Sequence, residues 1–555
     1  MASSALDLRD REGLFKELST AHFDLLVIGG GITGAGIARD AALRGLHVAL
    51  VEAQDFASGT SSRSTKLVHG GLRYLAQGDI NLVKESATER AVLENLAPHL
   101  AQTQRFLLPV TSKAAQLKFR TGLWGYEKLG RVAEIDTHQV RSLKQINELE
   151  PALNTQGWHS GITYGECITE DARLTTANIR SAYAVGAKVI NYCKVIGFLN
   201  NSADRISGVR VKDTLTDLST SEEFSIKAKV IVNAAGPWVD AISKLGNEKN
   251  PAKLQLTKGV HIVVPHKRLP LNKPLIATAR DKRTLFIIPK DDITYIGTTD
   301  TFYSSTDYWP KANVTDIDYL LDTANRASKA QNLRHEDVIS LWTGIRPLIA
   351  EEGKSPSEIS RKDETWESAE GLISIAGGKL TAYRRMAERV VDLVETKLGK
   401  NPSLCTSAHE TLPGGDQTPH MLRQDALFEN IDDTSRDRLI RNYGSEALNL
   451  LGTRSGFNSA QLNSTLLNST DIISAEAEQA VLKEGALTLE DYWIRRSGRS
   501  LFDVDAGLNT LEVAASKMAD LLNWSEEQKR REIDHCQSVH MDRMDWRASE
   551  QDTAA

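Results

Sequence analysis

At 555 residues the chain is too long for a single hydrophobic core, and about three domains is the natural expectation. Its composition is ordinary for a globular protein, 41% hydrophobic and 25% charged, and a net charge of −6 without any polybasic block argues against nucleic acid as a partner. Cys167, Cys193, Cys405 and Cys536 lack metal or CxxC spacing and read as free thiols in a reducing compartment, residues 1–22 lack the apolar centre of a secretory signal, and no run approaches the roughly 18 apolar residues of a spanning helix.

The first ordered unit is predicted at Asp24–Glu52. Leu25–Ile28 reads as a buried parallel strand, Thr33–Arg44 as a helix ending at Gly45, and His47–Val51 as a second strand that ends on Glu52. Gly29, Gly31 and Gly34 between them give the G-x-G-x-x-G spacing: a tight turn, a close approach of backbone to a pyrophosphate, and close packing of helix on strand. The helix start offers free N–H groups to phosphate, and Glu52 stands where an acid accepts hydrogen bonds from a ribose. The next stretch, Thr60 to Leu75, is dense in hydroxyls (Thr60, Ser61, Ser62) and then in Lys66, His69, Arg73 and Tyr74. Such a loop suits the phosphate and ring ends of a cofactor and can aim cations at an anionic substrate.

Further along, Asp79–Leu96 reads as an amphipathic helix, and Phe106–Val110, Gly161–Cys167, Lys188–Ile190, Ile206–Val211 and Phe224–Val232 as strands. Asp171 looks like the N-cap of a helix running to Tyr183. Lys229 to Trp238 is a buried strand with a small-residue turn at Gly236, a return past the dinucleotide that FAD proteins use and simple NAD domains do not need. Val260–Val264, Leu285–Pro289 and Tyr295–Thr299 suggest an antiparallel sheet, with a hairpin at Asp291-Asp292. His261 lies on the first of these strands, and Arg346 is expected on a constrained turn before Pro347. Leu372–Ala376, Gly377-Gly378 and Ala382–Leu398 repeat the strand, glycine turn and helix pattern, placing a positive helix end where charge develops on a reduced flavin. Asn401–Pro419 reads as a linker and the remainder as helical, and Asp503-x-Asp505 fails the EF-hand pattern, so no metal site is expected.

Together these segments resemble the FAD-dependent, quinone-linked glycerol-3-phosphate dehydrogenases of bacteria. The resemblance spans nearly the whole chain and is carried by the runs 28–36, 64–75, 233–238, 258–265, 297–300, 344–348 and 376–381, of which Ser64-Thr-Lys-Leu-Val-His-Gly-Gly-Leu-Arg-Tyr-Leu75 and Ala376-Gly-Gly-Lys-Leu-Thr381 are the most specific. It implies an α/β fold: a glutathione-reductase-like FAD-binding domain (22–98, 151–257 and 338–400) interleaved with an antiparallel substrate domain (99–150 and 258–337). An N-terminal extension (1–21), a linker (401–419) and a helical C-terminal domain (420–555) complete the expected organisation. The implied reaction is oxidation of sn-glycerol 3-phosphate to dihydroxyacetone phosphate by hydride transfer to FAD, with a membrane quinone as the final acceptor. By motif match, His261, Arg346 and Lys379 are the catalytic candidates. Arg73, Tyr74, His69 and Arg361 are those for substrate, and Gly29, Gly31, Gly34, Glu52, Thr60, Ser61, Ser62, Lys66, Gly236, Gly377, Gly378 and Thr381 those for cofactor. The resemblance also implies a cytoplasmic protein peripheral on the inner membrane, and it admits a homodimer.

The chemistry of the residues agrees. Oxidising a secondary alcohol needs a base for the hydroxyl proton, and His261 titrates in the right range, with His69 as its rival. A phosphate dianion calls for arginine forks, which Arg73, Arg346 and Arg361 supply without the sequence saying which holds it. An oxidase passing electrons to O₂ and a non-catalytic FAD-fold binding protein are the two alternatives, the second opposed by the concentration of His and Arg in the loops.

Overall fold

The computed structural model describes residues 5–69, 80–130, 134–215, 221–329, 332–351, 353–356, 358–429, 431–452 and 469–550. Two large sheets organise it. The first has the order Asp363–Glu367, Ile373–Gly377, Glu223–Asn233, His22–Ile28, Val48–Val51, Lys188–Ile190, parallel except at the Asp363–Glu367 edge. Alternation along its central strand divides two layers. Leu25 and Val27 face the helices Ile32–Leu43 and Tyr383–Lys397, whereas Leu26 and Ile28 face the helix Arg11–Thr20 and a β-meander. Glu223–Asn233 belongs to both arrangements. Its first half, with charged residues alternating outward, pairs antiparallel with Ile206–Asp213, and its apolar second half pairs parallel with the central strand. The change follows from burial on one face giving way to burial on both.

The second sheet has ten strands, antiparallel except where Leu275 meets Leu107. Leu254–Pro265 is its key element, flanked by Ile293–Gly297 on one side and Ser340–Ile349 on the other. Val260, Ile262 and Val264 pack under the helix Val314–Ala327, so His261 and Val263 face the opposite way, toward the first sheet's loops. The Asp291-Asp292 hairpin forms as expected, between Thr284–Lys290 and Ile293–Gly297.

The sheets divide the chain differently from the expected boundaries. Ser160–Thr169 pairs along its length with Ala101–Val110, and Ser340–Ile349 pairs with Leu254–Pro265, so both join the antiparallel sheet and not the nucleotide-binding one. Arg346 accordingly sits on a strand, not on a turn. Pro347 is tolerated there because the strand pairs on one side only, and an edge position leaves no ladder partner short of a donor. Asp171 is the first residue of the helix Asp171–Ala184, not its cap, and its carboxylate is engaged elsewhere. The helices Arg11–Thr20, Lys113–Gly130 and Val314–Ala327 lay outside the sequence expectations.

The C-terminal region is helical, its longer members being Ser469–Glu484, Leu511–Leu522 and Glu526–Met544. The stretch before it is fixed to the body: buried Arg39 donates to the carbonyls of Ser407 at 2.9 Å and Glu410 at 2.5 Å. Docking relies on a charge cluster with no access to water. Asp55, just past the second strand, accepts from Arg495 Nε at 2.5 Å and from both terminal nitrogens of Arg496 at 2.7 Å. Burial pushes the Asp55 carboxyl up, but Arg496 and Arg495 overcome this and hold it below the ordinary range. Asp55→Asn leaves the buried Arg496 guanidinium without its paired anion, while Arg495 keeps Glu490 and Asp491. We expect a loss of about 3–5 kcal/mol, read as a lower denaturation midpoint of the purified protein; an unchanged midpoint would mean that Asp55 does not secure the helical region.

Candidate active site

The dinucleotide turn is built from three glycines with different duties. Gly29 adopts φ +111°, and a Cβ there would lie 2.6 Å from Ala234 O. A Cβ on Gly34 would overlap the carbonyl oxygen of Gly29, so helix and strand touch only because none is present. At Gly31, which begins the helix Ile32–Leu43, a Cβ would meet only Ser61 Oγ, at 3.1 Å. That hydroxyl accepts from the Ile32 N–H at 2.9 Å and supplies the cap that Gly31 lacks. Glu52 is drawn into the turn itself: its carboxylate accepts from the N–H groups of Gly30 at 2.6 Å and Gln54 at 2.9 Å, and burial pushes its pKa up. Gly236 has φ +55°, with open space where a side chain would begin.

Residues 59–68 run from this turn across to the second sheet. Thr60 Oγ1 donates to Ile345 O at 2.6 Å, Trp342 Nε1 donates to Ser64 O at 3.0 Å, and Ser62 is buried. Lys66 does not aim its charge at a ligand as expected. Its ammonium is buried 2.6 Å from Asp171 Oδ1 and donates to Ser62 O at 3.0 Å, while Asp171 Oδ2 accepts from the Ser64 N–H and hydroxyl.

The chemistry-bearing face of the second sheet lies against this loop. In register, His261 stands opposite Trp342 and Thr257 opposite Arg346, so the His261 and Arg346 side chains share one face. The imidazole stacks on Trp342 at 4.7 Å, and its Nε2 lies 2.9 Å from Thr65 Oγ1. Its Nδ1 is buried and has no partner among the described residues. Burial drives the His261 pKa well below the usual histidine range, and the positive charges of Arg346 and Lys66 add to the effect. The group is therefore neutral at ordinary pH, and the ionisation expected near the normal histidine value moves to more acid conditions.

Arg346 crosses above Gly259, where any Cβ would strike its guanidinium. It donates to Asp300 Oδ1 at 3.0 Å and to Thr298 Oγ1 at 3.1 Å. Asp300 Oδ2 lies 3.8 Å from Arg361, and the Asp300 carbonyl accepts from Arg283 at 3.1 Å. One aspartate thus gathers three arginines and leaves the group positive, which suits an anion. Lys379 follows Gly377 and Gly378, whose φ of +76° and +78° end the strand Ile373–Gly377 and turn the chain into the helix that follows. Thr381 Oγ1 clamps the backbone of His69, lying 3.1 Å from its N–H and 3.2 Å from its carbonyl. Arg73 and Tyr74 lie outside the described residues. Sequence reasoning missed Thr65, Arg283, Asp300 and Trp342 as site residues, although three of them fall within or beside motifs it singled out.

A glycine cradle joined through a loop to a sheet that presents a neutral histidine and an arginine cluster is the layout of an FAD-dependent oxidoreductase. The family model described as FAD dependent oxidoreductase matches residues 24–384, and that of the C-terminal domain of alpha-glycerophosphate oxidase matches residues 405–529. The aerobic glycerol-3-phosphate dehydrogenase of Staphylococcus saprophyticus is 41% identical over 540 residues, 95% of each chain, and that of Staphylococcus aureus 42% identical over 538 residues. The structure of the glycerol-3-phosphate dehydrogenase from Bacillus halodurans complexed with FAD is 36% identical, with a TM-score of 0.79 over 97% of this chain and 98% of that one. Glycine oxidase from Geobacillus kaustophilus shares the fold at 21% identity and a TM-score of 0.52. The chain belongs to the family of FAD-dependent aerobic glycerol-3-phosphate dehydrogenases.

The residues present fit the cofactor: the glycine turn is empty of side chains where a pyrophosphate lies, and the helix behind it directs its N-terminus there. Gly31→Val crowds only the Ser61 hydroxyl, 3.1 Å from the new Cβ, and fills that space. The variant is expected to fold and to purify colourless, which its absorbance near the flavin bands will show; full flavin absorbance would contradict this placement.

Proposed function

We propose that the protein oxidises sn-glycerol 3-phosphate to dihydroxyacetone phosphate and passes the electrons to a membrane quinone. FAD, when bound, supplies the hydride acceptor for the carbinol carbon. The observation that carries the reading is the juxtaposition of neutral His261 and the Asp300-bridged arginines on one face of the sheet. His261 takes the hydroxyl proton, its ring held by the Trp342 stack and the Thr65 hydroxyl. Arg346, Arg361 and Lys379 face the anionic end and the developing charge on the reacting oxygen, and Arg73, Tyr74 and His69 complete the pocket in this reading. Glu52, Thr60, Ser61, Ser62, Gly236, Gly377, Gly378 and Thr381 serve the cofactor, and Lys66 holds the loop that carries three of them. A peripheral position on the cytoplasmic face of the membrane, with or without dimerisation, belongs to the same proposal.

The match of residues 405–529 to the alpha-glycerophosphate oxidase domain favours one second reading, transfer of electrons to O₂. Peroxide formed mole for mole with substrate in air would select it; reduction of a soluble quinone analogue with little peroxide selects the first. Anaerobic bleaching of the flavin by glycerol 3-phosphate is required by both and would dismiss a non-catalytic binding role.

The His261 assignment makes two quantitative demands. His261→Asn should retain flavin yet slow anaerobic flavin reduction about 10²–10⁴-fold, the usual worth of a general base. Because the folded pKa is depressed, the wild-type base stays deprotonated through neutrality. The reduction rate should hold level above roughly pH 6.5 and fall only as acid passes below the ordinary histidine value. A wild-type rate that climbs through roughly pH 6.5–7.5, or a variant with undiminished speed, moves the base elsewhere, His69 being next.

A further inference from the structure

The second sheet is incomplete at one end, and the gap holds a cavity of about 520 Å³. Leu275–Thr278 lies between Ala101–Val110 and Thr284–Lys290, but its first residue pairs with Leu107 on one and Ile287 on the other. Residues 101–106 and 288–290 therefore run on with no described strand between them, and Arg441 of the helix Asp433–Tyr443 lines the cleft they leave. The cavity is distinct from the site described above. Lys290 pairs with Ile293, four residues along the strand from Gly297, which stands opposite His261. That is a separation of roughly 13–14 Å, and neither His261, Arg346 nor Asp300 lines the cavity.

Its lining is rich in charge. Arg105, Lys273, Lys290 and Arg441 face two carboxylates, Glu170 and Asp291. Glu170 pairs with Lys290, both side chains 10% exposed, and Asp291 takes both terminal nitrogens of Arg441, at 2.5 and 3.2 Å. Burial still pushes Lys290 down to about 8, so the pairing with Glu170 only partly offsets the loss of water. Thr169 Oγ1 and His99 Nδ1 also belong to lining residues, each 2% exposed, and have no partner among the described residues. Burial pushes His99 down to about 3, so its ring is neutral. Buried polar groups are nearly always paired, and two orphans on one cavity point to a partner from outside the chain.

We propose that this cavity binds a phosphate monoester of a hydroxylated carbon chain, a sugar phosphate by class. Two arginines, two lysines, a hydroxyl and a neutral imidazole make the donor set that a phosphate group calls for. An ionised carboxylate only accepts hydrogen bonds, so the remaining lone pairs of Glu170 and Asp291 suit the hydroxyls of the attached chain. The volume lies in the range of small-molecule sites and exceeds what one phosphate fills. Its place, between a sheet and the helical C-terminal region, is also where such sites gather. An apolar occupant would strand these charges away from water.

The test is calorimetric titration of the full-length, FAD-loaded protein with glucose 6-phosphate, ribose 5-phosphate, glucose and inorganic phosphate. A sugar phosphate should bind once per chain, inorganic phosphate at least tenfold more weakly, and glucose not measurably. Thr169→Val and, separately, Lys273→Ala should each weaken that binding about tenfold or more, the usual worth of a hydrogen bond to a charged group. Both variants should oxidise glycerol 3-phosphate with a soluble dye at the wild-type rate, which also shows that they are folded. Thr169→Val removes a hydroxyl without a partner among the described residues, so its melting midpoint should equal or exceed that of the wild type. A lower midpoint makes the hydroxyl structural and counts against the proposal. Variants that bind the sugar phosphate like the wild type overturn the assignment, because the ligand then sits elsewhere, the active site included. Equal affinity for inorganic phosphate overturns the ligand class and leaves a simple anion site. Binding of neither sugar phosphate makes the cavity a solvent-filled cleft and overturns the whole.

Discussion

The buried pair of Lys66 and Asp171 is the interaction on which the site depends. Isolated from water, neither charge tolerates the loss of the other, and the shared carboxylate also receives the N–H and hydroxyl of Ser64. The loop is thereby fixed at its centre. From that point it reaches the dinucleotide turn through Ser61, the second sheet through Thr60 and Ser64, and the candidate base through Thr65. Cofactor cradle and candidate substrate face, which belong to different sheets, are held in mutual position by one polar segment that bonds to both.

The helical C-terminal region takes part in the same arrangement. Arg63, the neighbour of Ser62, lies over Trp309 at 4.0 Å, and Arg543 from the helix Glu526–Met544 lies over the same ring at 4.4 Å. Burial pushes Arg63 down to about 10, so this contact holds a cation in a place that disfavours charge. With the Asp55–Arg495–Arg496 cluster, it ties the late helices to the two segments that flank the nucleotide turn. The third domain is thus a brace for the loop as much as a cap over it.

Much of this was legible in the sequence, where one local signal sufficed. Gly29 and Gly34 make the tight turn and the close helix–strand contact that their spacing implies, and Lys188–Ile190 falls on the predicted residues because a short apolar run can do little else. Errors arose where a tertiary partner outweighed the local rule. Asp171 has the look of a cap but answers to a lysine 105 residues away, and Pro347 has the look of a turn but lies on an edge strand. Lys66 reads as a cation for a ligand until the buried acid beside it is known. The helix Lys113–Gly130 escaped notice because Gly122 and Gly125 weaken its propensity and Leu117 and Trp124 interrupt its otherwise polar outer face. Asp300 closes a motif that the sequence does show, but its role lies in the arginines that three separate segments bring to it.

The long strand Glu223–Asn233 has a consequence for how the molecule is made. Its apolar half completes the central sheet by pairing with His22–Ile28 on one side and Ile373–Gly377 on the other. As the ribosome extends the chain, the first strand and its glycine turn emerge early but have no neighbour on that side until residue 233, and the apolar end of that neighbour lacks its far-side partner until residue 377. Pairings so distant in sequence form slowly, and an unpaired apolar strand is open to wrong partners in the interval. The nascent chain therefore waits longest for its partners at the segment that carries the dinucleotide turn.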